Sequence, residues 1–143
     1  MRIDGRYTFE APGSRVWELL MDTTAVAACI PGCRELRPIG GDRYEAELVV
    51  AIAAVTGSYR ATVAMLNKVE PHSYRLVVDG TGRGGFVKGE AAVTLAAEGD
   101  RTIVSVAGSG QVGGTIARVG QRLIEGAGRM LMDRFFGCLA AKV

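Results

Sequence analysis

Two stretches of the chain satisfy Gly-x-Gly-x-x-Gly, the spacing that lets a backbone turn approach a pyrophosphate at the start of a helix. Gly108, Gly110 and Gly113 follow the apolar run TIVSVAG and precede a helical pattern, which is the right local context. A dinucleotide unit also needs a parallel strand after that helix, with an acidic residue on it. Here the helical pattern runs on to the C-terminal end of the sequence, so this cluster reads as strand-end or turn glycines. Gly80, Gly82 and Gly85 lie between two strand patterns and read the same way.

The other reactive side chains are scattered. Cys29 and Cys33 stand four residues apart, but the single histidine, His72, follows Pro71 in a turn, and no second ligand pair exists. Structural zinc takes four such ligands and catalytic zinc three, so no metal is expected. Cys29, Cys33 and Cys138 read as free thiols, an odd number in a chain whose N-terminus lacks the apolar core of a signal peptide. That pattern predicts a reduced, cytoplasmic protein. A nucleophile–histidine–acid triad would have to use His72, which its turn places poorly. Glu45 and Glu47 share the wet side of a strand. No catalytic residue, metal or cofactor is assigned, and the sequence reads as a non-enzyme.

The elements that would position these groups follow from periodicity. Residues Ile3, Gly5, Tyr7 and Phe9 alternate with charged or polar neighbours, as in a half-buried strand. APGSRVWELLMD predicts a short helix with Ser14 as a cap and Val16, Trp17, Leu19 and Leu20 on its apolar side, and TTAVAACI a second one stopped by Pro31-Gly32. Strands are predicted over 34–39, 43–55, 58–69, 73–80, 86–97 and 101–108, separated by turn signals. Alternation such as Arg60 and Thr62 against Tyr59, Ala61 and Val63 is typical of antiparallel strands with one covered face.

From 115 to 139 the period becomes helical, with Ile116, Val119, Leu123, Ala127, Met130, Leu131 and Phe135 on one side. A helix of that length reaches about 37 Å, enough to cross the sheet. The result is one α+β domain over residues 1–143, a seven-stranded curved antiparallel sheet around a long C-terminal helix, in the order β-α-α-β6-α. Hydrophobic residues make up 48%, charged residues 22%, and the net charge is +2, which gives no electrostatic case for nucleic acid. No stretch approaches the roughly 20 apolar residues that span a bilayer.

Several inward positions are small: Gly5, Ala46, Ala54, Ala61, Gly89 and Ala91. Small residues there mean either close backbone packing or a cavity left for a ligand. The last helical turns, MLMDRFFGCLAA, are apolar nearly all round, which fits deep burial or a contact surface.

The element order resembles the helix-grip fold of START-like and birch-pollen-allergen-like proteins, the SRPBCC superfamily. Within it, ACIPGC at 28–33, FVKGEAAVTL at 86–95 and QVGGTIARVGQRLIEGAGRMLMDRFF at 111–136 are similar to the CoxG family, the G-type subunits of carbon monoxide dehydrogenase. The resemblance covers essentially the whole chain. It implies a non-catalytic accessory protein serving molybdenum hydroxylases of the carbon monoxide dehydrogenase type. Such a protein would hold a quinone or lipid in the grip cavity, for electron-acceptor delivery or membrane recruitment, in the cytoplasm or peripherally at the inner face of the membrane. Many relatives carry a C-terminal membrane-interacting extension, whereas this sequence stops at Val143.

On that reading Pro31-Gly32 sets Cys29, Ile30 and Pro31 near the mouth of the grip. Ile116, Val119, Leu123, Ala127 and Met130 form the floor, and Tyr59, Val63, Leu76, Val78, Phe86 and Ala91 the walls. Two alternatives stand beside it. One is a helix-grip enzyme of the polyketide-cyclase or hydrolase type using Tyr44, Tyr59, Tyr74 or Asp79; the other is an assembly factor with a filled core.

Overall fold

The computed structural model describes residues 1–52 and 55–143. Strand β1 (Arg2–Phe9) leads into helices α1 (Gly13–Met21) and α2 (Thr23–Cys29). Six strands follow: β2 (Cys33–Gly40), β3 (Arg43–Val50), β4 (Gly57–Val69), β5 (Ser73–Gly82), β6 (Gly85–Glu98) and β7 (Arg101–Gly113). A 3-10 turn (Thr115–Val119) then precedes helix α3 (Gln121–Ala140). The sheet is an antiparallel meander closed on one side by the first strand, in the order β1-β7-β6-β5-β4-β3-β2. This is the expected architecture, with β3 ending earlier and β7 running further than predicted. Ala54, one of the small positions singled out in the sequence, lies outside the described residues.

Alternation fixes the two faces. Ile3, Gly5, Tyr7 and Phe9 pair with Gly108, Val106, Val104 and Thr102, and that set continues across β6 through Ala91, Val93, Leu95 and Ala97. This face carries the buried core of Phe9, Tyr74, Val93, Leu95, Val104 and Val106. It packs against Val16, Trp17, Leu19 and Leu20 of α1 and Phe136 and Leu139 of α3. Trp17 meets Tyr74 edge to face at 5.6 Å, and Tyr7 stacks on Phe136 at 4.5 Å, arrangements that add to the burial of each ring. The buried Thr102 on this face donates its hydroxyl to the Ala11 carbonyl at 2.8 Å.

The opposite face is charged and wet. Glu45 and Glu47 pair there with Arg37 and Arg60 at 2.6 and 3.2 Å, as solvated ion pairs of little energetic weight. Helix α1 begins at Gly13 with Pro12 in the cap position, so Ser14 falls inside the first turn and does not cap it. Asp22 does cap α2, accepting from the backbone N–H groups of Thr24 and Ala25 at 3.0 and 3.2 Å.

Two expectations change. Cys29 and Cys138 are joined in a disulfide that ties the end of α2 to the end of α3, so only Cys33 is a free thiol. The C-terminal helix is also not continuous from 115. Gly120 has φ +99°, a conformation that strains any residue with a Cβ, and it separates the 3-10 turn from α3. An added Cβ there would touch nothing within 4 Å, so the glycine serves this backbone joint rather than close packing.

The joint resets the helical phase. Ile124, Ala127, Phe136 and Leu139 are buried, whereas Leu123 is 60% and Met130 42% exposed. The sequence pattern puts both Leu123 and Met130 on the cavity floor; they face solvent instead.

Candidate functional site

Helix α3 does not cover the sheet evenly. It packs on β1 and α2, held by Tyr7, which donates its hydroxyl to Asp133 at 2.6 Å, and by Arg129, which donates to the Asp4 carbonyl at 2.8 Å. Further across the same face, Tyr44, Leu48, Tyr59, Val63, Val78, Val87 and Val112 are only half-buried. Between them the sheet carries Ala46, Ala61, Gly80, Gly89, Gly108 and Gly110 on that face, too small to fill the space beneath a helix. Sequence left the small inward residues open between close packing and a cavity, and both occur. The end of the sheet under α1 is packed; the end under the 3-10 turn is open.

A cavity of about 580 Å³ lies at the open end, within the range of small-molecule sites. Tyr59 of β4 and Ile116 and Val119 of the 3-10 turn give it apolar surface. Thr56, Ser58, Thr115 and Arg83 supply polar groups, and Gly57 and Gly84 complete the lining. The Tyr59 hydroxyl donates to the Val55 carbonyl at 2.8 Å, and burial raises its pKa, so it stays neutral. No carboxylate, histidine or cysteine lines this wall among the described residues. The arrangement can enclose an apolar body and offer hydrogen bonds at its rim.

The residues expected at the site divide accordingly. Tyr59, Ile116 and Val119 line the cavity. Val63 and Val78 lie on the same sheet face, and Ala127 is buried on α3. Leu76 and Ala91 pack at the margin of the core. Phe86 is on the other face: it pairs with Thr81 and Gly113, is 39% exposed, and has the Lys88 ammonium 5.8 Å from its ring centre. Cys29 is sealed in the core by its disulfide, and Ile30 and Pro31 form the turn after α2, away from the cavity lining.

Of the tyrosines considered for catalysis, Tyr74 is inside the core, where burial drives its pKa well up. Asp79 is exposed and lies on the wet face. Sequence reasoning misses Thr56, Ser58, Arg83 and Thr115. Their signal is the pair of glycine clusters at the strand ends, which in sequence read as turns only.

A curved antiparallel sheet holding a C-terminal helix, with a cavity between the sheet and the 3-10 turn that precedes that helix, defines a helix-grip domain of the START-like class. A START superfamily protein from Mycobacterium smegmatis matches at TM-score 0.78 and 12% identity, covering 99% of this chain and 96% of that one. The Zhui aromatase/cyclase from Streptomyces sp. R1128 matches at TM-score 0.68 and 14% identity, with 99% and 92% covered. A conserved protein from Geobacillus kaustophilus is nearer, at TM-score 0.96 and 34% identity, with 99% and 94% covered. No curated protein sequence matches. Residues 5–143 match the family of the carbon monoxide dehydrogenase G subunit (CoxG), and the chain belongs to that family.

Proposed function

We propose that the protein is a non-catalytic carrier that holds an apolar small molecule, a quinone or a lipid, in the cavity beside the 3-10 turn. On this reading it serves a molybdenum hydroxylase of the carbon monoxide dehydrogenase type, delivering an electron acceptor or recruiting the enzyme to the membrane. The observation that carries the reading is the uneven closure of the grip: an apolar sheet face left half-buried beside a cavity of about 580 Å³. A filled-core assembly factor would not leave that face open. A cyclase or hydrolase would need a general acid or base, and the cavity wall offers neither a carboxylate nor a histidine among the described residues.

No helix among the described residues is long and apolar enough to cross a membrane. Work at the inner face of a membrane would therefore be peripheral for the described part of the chain.

Native mass spectrometry after mild purification tests the carrier reading, together with thermal shift against a short-tailed quinone and a lysolipid. Bound mass, or a rise in melting temperature with either compound, is expected. A consistently empty protein whose melting temperature neither compound moves overturns it.

A further inference from the structure

The two glycine clusters, far apart in sequence, meet at the cavity. The β5–β6 hairpin, Gly82-Arg83-Gly84-Gly85, lies directly against the 3-10 turn, with the Gly84 carbonyl accepting from the Ile116 N–H at 2.8 Å. The fit leaves no room for side chains. A Cβ on Gly84 would come within 2.7 Å of the Ile116 side chain, and one on Gly114 within 2.7 Å of the Gly85 Cα. The hairpin tip therefore presents one side chain at the cavity, Arg83.

That guanidinium takes part in no ion pair among the described residues, and no acidic residue shares the cavity wall. Five of the eight other arginines on the sheet, Arg2, Arg37, Arg60, Arg75 and Arg101, have carboxylate partners, while Arg6, Arg34 and Arg43 have none among the described residues. An unpaired fork of N–H donors above an apolar floor of Ile116, Val119 and Tyr59 is complementary to an amphiphile. Thr56 and Thr115 lie on the same lining as further hydroxyl donors.

We infer that Arg83 selects the head group: the cavity takes an apolar tail ending in a compact anionic oxygen head, a carboxylate or a phosphate, with the head on Arg83. This rests on the carrier reading and, of its two ligand classes, takes the lipid, because a neutral quinone ring offers Arg83 no charged oxygen.

The test is displacement of Nile red, a neutral polarity-sensitive dye, by laurate, dodecyl phosphate and 1-dodecanol at pH 7.5. All three are kept below their micellar concentrations. The tails match and only the heads differ. A charge-assisted contact at a solvent-exposed rim predicts roughly three- to fivefold tighter binding of an anionic head than of the alcohol. An advantage for laurate alone assigns a carboxylate site, and one for dodecyl phosphate alone a phosphate site.

Arg83→Gln is expected to bring the anionic compounds to parity with dodecanol, and Arg83→Lys to retain part of the preference. Equal binding of all three by the parent protein overturns the role of Arg83 while leaving the carrier reading intact, as does a preference that survives Arg83→Gln. Failure of every compound to displace the dye overturns the inference, and overturns the carrier reading too if a short-tailed quinone also fails to displace it.

Discussion

Reducing the Cys29–Cys138 bond should cost the protein much of its stability. The bond closes a loop across a sequence separation of 109 residues, with the two Cα atoms 5.4 Å apart. In the chain-entropy account, releasing a loop of that length adds freedom to the unfolded state worth about 4.7 kcal/mol at 25 °C. For a domain of this size, one kcal/mol corresponds to roughly 3 °C in melting temperature, so the expected fall is on the order of 10–15 °C.

The assay is thermal unfolding followed by circular dichroism, with and without a phosphine reductant. Thiol state is checked by mass spectrometry after alkylation. Cys138→Ser should reproduce the fall in the absence of reductant, and Cys33→Ser should leave the melting temperature where it was. Peptide mapping of the oxidised protein should recover residues 29 and 138 in one linked species. If alkylation finds three free thiols in protein that was never reduced, or if complete reduction leaves the melting temperature within about 2 °C, the reasoning is refuted.

Other substitutions probe the open and packed ends separately. Val119→Trp should fill the cavity and abolish Nile red binding with little change in melting temperature; undiminished binding would place the dye elsewhere. Leu139→Ala removes a fully buried side chain and should cost about 2–5 kcal/mol by chemical denaturation. Leu123→Gln, on the exposed side of the same helix, should stay within about 0.5 kcal/mol, and a large loss there would restore Leu123 to the interior.

Burial raises the Tyr74 pKa above its ordinary value near 10. A folded state that holds this proton more tightly contributes stability that is fully present below about pH 10 and is lost as the pH climbs above it. The melting temperature should therefore decline more gently between about pH 9 and 11 in Tyr74→Phe than in the parent, and an unchanged slope would refute the assignment.

Element order and sheet facing were legible because both rest on local repeats: period two across seven strands, and period near 3.6 after residue 120. Even Phe86 was readable in principle. It shares parity with Lys88 and Glu90, so strict alternation already places it outside, and its apolar character is a misleading cue. The phase of α3 was less accessible, because Ile116, Val119, Leu123, Ala127 and Met130 extrapolate one helix through a glycine whose positive φ no neighbour announces. The pairing of Cys29 with Cys138 was out of reach, since a contact across 109 residues leaves no local periodicity. Arg83 was hidden for a related reason: two glycine clusters make sense only when the segments carrying them lie side by side.

The division of the sheet into a packed end and an open end has a consequence for how such a protein can change over generations. Substitutions at Phe9, Val16, Val104 or Leu139 are judged by folding, and few are tolerated. Those at Tyr59, Arg83, Thr115 or Val119 touch a space that the fold leaves unfilled, so they alter the shape and polarity of that space with little effect on whether the chain folds. Selection can therefore act on the cavity and on foldability almost independently. A scaffold of that kind can pass from one ligand chemistry to another through a series of viable intermediates, and the same shape is found at the 12–14% identity between this chain and the START superfamily protein and the aromatase/cyclase.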